Sequence, residues 1–205
     1  MIIKVCGMRY PENIRAVEAL GVDLMGFIFW PGSSRYVGGE VPSYLPGSCR
    51  RVGVFVDSAL PDILSAVKGF GLDIIQLHGH ESPEAITELK ERLPSVQVLR
   101  SLAISGPGDL AQAREYENIC DGFLFDTKGK LPGGNGRQFD WNVLRHYNGS
   151  LPFLLSGGIG PGDGMRIRSL DLPQCIGVDL NSRFETAPGL KDVEALGTFI
   201  ETLRS

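Results

Sequence analysis

Ile2-Ile3-Lys4-Val5-Cys6-Gly7-Met8 opens the chain with a strand-length apolar run that ends in a thiol and a glycine. Alternation along a strand puts Ile2, Lys4 and Cys6 on one face and Ile3 and Val5 on the other. If the strand is parallel, Cys6 sits at its carboxyl end, where α/β folds place their chemistry. A lysine two residues from a cysteine on one strand face is an unusual choice for a plain core. Lys4, pointing inward, requires a carboxylate partner from another strand.

Seven further apolar runs follow the same plan, with strand starts near residues 24, 52, 73, 97, 121, 152 and 175. Helical stretches separate most of them: Pro11–Leu20, Pro61–Phe70, Pro83–Leu93, a helix within Gly106–Glu117, Phe139–His146, Pro161–Ser169 and the closing Lys191–Leu203. Pro at the first helical position and Gly just past the last one punctuate the first of these. Val37–Cys49 is broken by Pro42 and Pro46, so any second helix there is very short. Asp179–Lys191 reads as loop or a single turn. Eight apolar strands with intervening helices call for parallel pairing and right-handed crossovers. The expected fold is α/β, a (β/α)8 TIM barrel formed by residues 1–205 as one domain with a shortened second helix. An open doubly wound sheet is the structural alternative. The sequence lacks its dinucleotide fingerprint and a Walker A motif: Gly158-Ile159-Gly160 is followed by Asp163 at the sixth position, and Gly134 by Asn135.

Two hundred and five residues suit one sizeable core. A net charge of −4 gives no electrostatic case for nucleic acid or an anionic membrane. Met1–Lys4 has no basic or long apolar leader character, which speaks against a secretory signal. The four cysteines, Cys6, Cys49, Cys120 and Cys175, are scattered and suit a reducing cytoplasm. Monomer and homodimer both remain open.

In a barrel, the residues just after each strand converge on one mouth. These are Cys6, Arg35, His78, Asp126, Gly157-Gly158 and Asp179–Ser182, the last stretch including Asn181 and Ser182. Asp126 follows Leu124-Phe125, and is either a loop carboxylate or a desolvated general acid. Cys6 is either a buried hydrophobe or a thiolate base favoured by Lys4. Ser156–Pro161, S-G-G-I-G-P, is either a tight turn or a phosphate cradle, and Asn181-Ser182-Arg183 offers a second anion loop beside it. Arg35 is a solvated loop arginine or a bidentate carboxylate clamp. His78 and His80 raise the alternative of a metal-dependent hydrolase, although no further histidine cluster accompanies them. One of the two is expected to face the mouth and the other the solvent. A non-catalytic sugar-phosphate binder is the third reading. The stretch Lys128–Arg137 carries four glycines and suits a lid.

Lys4–Met8 (K-V-C-G-M), Gly26–Val37 with G-F-I-F and S-S-R-Y-V, Gln76–Gly79 (Q-L-H-G), the loop Asp126–Trp141, Ser156–Ile159 and Gly177–Ser182 together resemble the phosphoribosylanthranilate isomerase family. The resemblance runs in order from Lys4 to about Glu185. It implies a (β/α)8 barrel of tryptophan biosynthesis that performs an Amadori rearrangement of a phosphoribosyl substrate without metal or other cofactor. By position it implies Cys6 as general base, Asp126 as general acid and Arg35 as the anthranilate-carboxylate arginine. The loops after the seventh and eighth strands match the phosphate site. Ser34 stands where the family often has proline, and Arg183-Phe184 are bulkier than usual.

Overall fold

The computed structural model describes residues 1–129 and 138–205. Eight parallel strands close into a barrel in chain order: β1 (Ile2–Val5), β2 (Leu24–Ile28), β3 (Arg50–Phe55), β4 (Ile74–Leu77), β5 (Gln97–Ile104), β6 (Gly122–Thr127), β7 (Phe153–Leu155) and β8 (Cys175–Leu180). The seam is the pairing of β1 with β8, in which Lys4 lies opposite Asp179. Closure leaves no edge strand in the barrel.

Alternation sorts the barrel interior into levels. Leu24, Val52, Ile74, Leu124 and Leu154, with Ile2 and Leu99, fill the lower level as one apolar cluster. One pleat higher the buried side chains turn polar: Lys4, Gln76, Ser101, Asp126, Ser156 and Asp179. Cys6 packs near the top with Ile28, Val54 and Trp30. The outward faces of the strands pack on the helices in a larger apolar cluster.

At the bottom of the barrel one device recurs three times. Asp23, Asp73 and Asp121 each precede an even-numbered strand, and each reaches back to an N–H at the start of the preceding strand. Asp23 Oδ2 accepts from Ile3 N at 2.8 Å, Asp73 Oδ2 from Arg51 N at 2.8 Å and Asp121 Oδ2 from Val98 N at 2.7 Å. These bonds give the strand-start amides partners that the ladders do not supply.

The outer ring is uneven. Its helices are α1 (Pro11–Glu18), α2 (Leu60–Phe70), α3 (Pro83–Arg92), α4 (Ala113–Tyr116), α5 (Gly164–Arg168) and α6 (Val193–Arg204). The shortened helix expected in Val37–Cys49 is not formed: the segment contains no helical residue. A carboxylate takes over its role. Glu18, on α1, accepts from Tyr44 Oη, Gly47 N (2.7 Å), Ser48 N (2.6 Å) and Ser48 Oγ (2.7 Å), while Arg15 stacks on the Tyr44 ring. Burial raises the Glu18 pKa, but these hydrogen bonds win and lower it to about 2. Phe70 of α2 packs on Phe27 and Phe29.

Three other expected helices are shorter than their sequence patterns. Pro107–Gln112 is a 3-10 turn leading into α4, Trp141–His146 is 3-10, and Pro161–Asp163 is 3-10 before the five residues of α5. Asp179–Lys191 is more ordered than a loop. β8 runs on to Leu180, Ser182–Phe184 makes a 3-10 turn, and β9 (Glu185–Ala187) pairs antiparallel with β10 (Leu190–Lys191). Among the described residues no helix is long and apolar enough to cross a membrane. The glycine-rich stretch read as a lid lies outside the described residues except for Lys128 and Gly129.

Candidate active site

Cys6 directly follows β1 and is buried. Space for it comes from β2: a β-carbon on Gly26 would lie 2.8 Å from Cys6 Sγ. Lys4, one pleat below, is fully buried and its Nζ meets Asp179 Oδ1 at 2.7 Å. Asp179 is thus the carboxylate partner that an inward lysine requires. Burial alone lowers the Lys4 pKa, but Asp179 and Cys6 outweigh it and the net shift is upward.

Lys4 pulls the Cys6 pKa down, in the direction the sequence suggests, but does not outweigh burial. Burial is the largest influence on the thiol and raises its pKa above 9.0; Lys4 and Lys191 lower it, and Asp179 raises it again. The cation is beside the thiol, but its close carboxylate partner weakens its pull, and desolvation of the thiolate dominates.

β6 extends two residues past the expected end, so Asp126 and Thr127 are strand residues. The Asp126 carboxyl is buried, accepts from Thr127 N at 2.8 Å through Oδ1 and places Oδ2 3.6 Å from His78 Nε2. Burial is the largest cause of its upward shift to about 6. Asp179 adds to the rise, while the Thr127 bond, Lys4 and Ser156 oppose it. Lys4 and Asp179 therefore act on both Cys6 and Asp126.

The two histidines of H-x-H part company. His80 is 93% exposed and pairs with Asp57, whereas His78 faces Asp126. Burial, then Lys4 and Arg100, lowers the His78 pKa to about 4, so the ring is neutral at physiological pH. Gln76 Nε2 lies 3.4 Å from His78 Nδ1 and donates to Ser101 Oγ at 3.1 Å, and among the described residues the buried Gln76 Oε1 has no hydrogen-bond partner. With Gln76 donating to Nδ1, the imidazole proton sits on Nε2, toward Asp126. Among the described residues no group of three or more His, Cys, Asp and Glu is arranged to hold a metal.

Arg35 reaches the mouth after β2 and is already gripped. Its Nε lies 2.9 Å from both oxygens of Glu185, and its Nη2 lies 2.6 Å from Oε2. Lys191 Nζ meets the same carboxylate at 2.6 Å and Asn181 Oδ1 at 2.7 Å. Gly7, at φ +76°, permits this crowding: a β-carbon there would lie 2.7 Å from Arg35 Cδ and 3.0 Å from Asn181 Oδ1.

The loops after β7 and β8 are neighbours, since a β-carbon on Gly160 would contact Arg183 Cβ at 3.6 Å. Gly157 and Gly158 both have positive φ, +93° and +65°. Asp163 Oδ2 accepts from Gly160 N at 2.8 Å, so that amide is used within the loop. Ser156 Oγ lies 3.4 Å from Asp179 Oδ2, and Ser182 opens the 3-10 turn after β8. Thus Cys6, Asp126, His78, Asp179 and Arg35 gather at the mouth and upper interior, with the two loops beside them. Sequence reasoning missed Gly26, Gln76, Glu185 and Lys191. A Pro188-Gly189 turn between E-T-A and L-K is the signal that could have marked the hairpin.

Comparison with known proteins agrees with this geometry. Residues 3–202 match the family described as N-(5'phosphoribosyl)anthranilate (PRA) isomerase. A Phocaeicola vulgatus protein named N-(5'-phosphoribosyl)anthranilate isomerase is 51% identical, with 100% of this chain and 98% of that protein covered. The crystal structure of phosphoribosyl anthranilate isomerase from Thermotoga maritima superposes with a TM-score of 0.83 at 30% identity, covering 100% of this chain and 99% of that one. A further structure, of the isomerase in complex with reduced 1-(o-carboxyphenylamino)-1-deoxyribulose 5-phosphate, gives 0.77 at 28% identity with 100% and 99% covered. A barrel closed in chain order, a buried thiol and carboxyl at its mouth and a match over nearly the whole chain lead to one conclusion: the chain belongs to the N-(5'-phosphoribosyl)anthranilate isomerase family.

Proposed function

We propose that the protein catalyses the Amadori rearrangement of N-(5-phosphoribosyl)anthranilate to 1-(2-carboxyphenylamino)-1-deoxyribulose 5-phosphate in tryptophan biosynthesis, with Asp126 as general acid and Cys6 as general base. Protonation of the ribose ring oxygen by Asp126 opens the ring to an iminium. Removal of the C2 proton by the Cys6 thiolate gives an enolamine, which tautomerises to the ketone. The first step couples proton transfer to cleavage of the bond from C1 to the ring oxygen, with the nitrogen lone pair forming the iminium; the second moves protons, and neither calls for a metal, nucleotide or redox group. The loops after β7 and β8 receive the phosphate, and Arg35 receives the anthranilate carboxylate. The free thiols suit a reducing cytoplasm.

The observation that carries this reading is the buried Lys4–Asp179 pair coupled to both proton-transfer groups. A carboxyl pushed up to about 6 keeps a protonated fraction at neutral pH, as an acid requires. The thiol, raised above its usual value, becomes a strong base once ionised. The working form pairs a protonated Asp126 with an ionised Cys6, which is the minority protonation state of the pair.

A fluorescence assay with phosphoribosylanthranilate generated in situ tests the assignment. Cys6→Ser and Asp126→Ala each lower kcat by roughly 10²–10⁴-fold while the far-UV circular dichroism stays native. Near wild-type turnover in either purified variant overturns the role given to that residue. Substrate binding without turnover in the wild type favours the sugar-phosphate binder instead.

A further inference from the structure

The hairpin β9–β10 brings a second cation to the Arg35 end of the site. Lys191 has no exposed side-chain surface, and Glu185 is 5% exposed. The Lys191 backbone is held at both ends by one side chain, the buried Asn13 of α1. Asn13 Nδ2 donates to Lys191 O at 3.0 Å, and Lys191 N donates to Asn13 Oδ1 at 2.7 Å. The Glu185 carboxylate is saturated by Arg35, by Lys191 and by Gly189 N at 3.0 Å. Both Nε and Nη2 of Arg35 go to this carboxylate, which leaves Nη1 for another acceptor.

Charge explains why a lysine sits there. Glu185 fixes the pose of Arg35 but neutralises it. Arg35, Glu185 and Lys191 together carry one net positive charge, whereas Arg35 and Glu185 carry none. A neutral pair attracts an incoming carboxylate weakly in a site where burial strengthens electrostatic interactions.

We propose that Lys191, presented by the hairpin, is a positioning residue for the substrate carboxylate: it offsets Glu185, so that Arg35 is held rigidly yet keeps a net positive field and its Nη1 edge for that carboxylate. The proposal rests on reading the site as one for a carboxyphenylamino sugar phosphate.

Two probes separate it from a merely structural role. One is reduced 1-(2-carboxyphenylamino)-1-deoxyribulose 5-phosphate; the other is its 1-phenylamino counterpart without the carboxyl. The measured quantity is the ratio of their Kd values in the full-length protein. In Lys191→Met the preference for the carboxylated probe falls by at least about tenfold, while the affinity for the phenyl probe changes little. In Lys191→Met/Glu185→Gln the preference returns, because Arg35 is no longer neutralised. Glu185→Gln alone, with Lys191 intact, increases the preference. A ratio unchanged in Lys191→Met overturns the proposal. So does an equal loss for both probes that the double variant does not reverse, which marks the hairpin as scaffold only. A wild-type protein that turns over the substrate yet shows no preference between the probes overturns the proposal and leaves the reaction standing. Absence of turnover in the wild type overturns the reaction and the proposal with it.

Discussion

Gly157 lies so close to the end of β6 that a β-carbon on it would overlap Thr127 Oγ1 and sit 2.7 Å from Thr127 N and 3.0 Å from Asp126 Oδ1. Thr127 N is also the donor that holds Oδ1 in place. The first glycine of the S-G-G-I turn therefore seats the proposed acid, whatever it contributes to an anion site. Its φ of +93° adds backbone strain for any side chain.

Gly157→Ala is expected to lower kcat by about 10²-fold through displacement of the Asp126 carboxyl. Inhibition by inorganic phosphate changes much less. Steady-state kinetics with phosphate as competitor check this. An unchanged kcat with weakened phosphate inhibition assigns the glycine to the anion site alone.

Asp126 also leaves a mark on stability. Its folded-state pKa of about 6 lies above the ordinary 3.8, so the folded protein binds more protons than the unfolded chain between these values. The contribution is fully present below pH 3.8 and is lost as pH rises through about 6. The difference amounts to roughly 3 kcal/mol, a cost borne above the folded-state pKa. Asp126→Asn removes the ionisation. Urea titrations should therefore show the variant gaining on the wild type between pH 4 and pH 7.5, even as its turnover falls. A pH-independent difference between the two proteins rules out a raised carboxyl pKa.

Lys4→Met strands Asp179 in the barrel interior. Breaking a buried pair from one side costs about 3–5 kcal/mol. The Cys6 thiol loses a neighbouring cation, and its ionisation moves to still higher pH. Alkylation of Cys6 followed by mass spectrometry across pH reads this shift. Identical titration in wild type and variant excludes Lys4 from the chemistry and leaves it a structural role.

The barrel was legible because buried parallel strands read as apolar runs whatever surrounds them, with Gly and Pro marking their ends. Strands expected near 52, 73 and 121 begin at Arg50, Ile74 and Gly122. Lys4 was informative for the same reason: a charge on an inward strand face must be answered, and Asp179 answers it. The split of His78 and His80 followed from their being two residues apart at a strand end with a turn between them. Less legible was anything set by contacts distant in sequence. A four-donor grip by Glu18 replaces a helix, and no local pattern announces it. Helical periodicity in Pro161–Ser169 does not distinguish a 3-10 turn from an α-helix over so few residues. The direction of the Cys6 shift depends on burial, which neighbours decide. Lys191 looked like the start of a helix because its partners, Asn13 and Glu185, come from α1 and from the far side of a tight turn.

The β1–β8 seam sets an order in time. Lys4 leaves the ribosome 175 positions ahead of Asp179. Until β8 docks, the lysine beside the thiol has no counter-charge and the barrel has two open edges. Closing so long a loop is the slow kind of contact, because its entropy is lost before the contact rewards it. Recovery of activity during refolding is therefore a clock for ring closure. Any chain cut short before β8 leaves the lysine beside its thiol without a carboxylate partner.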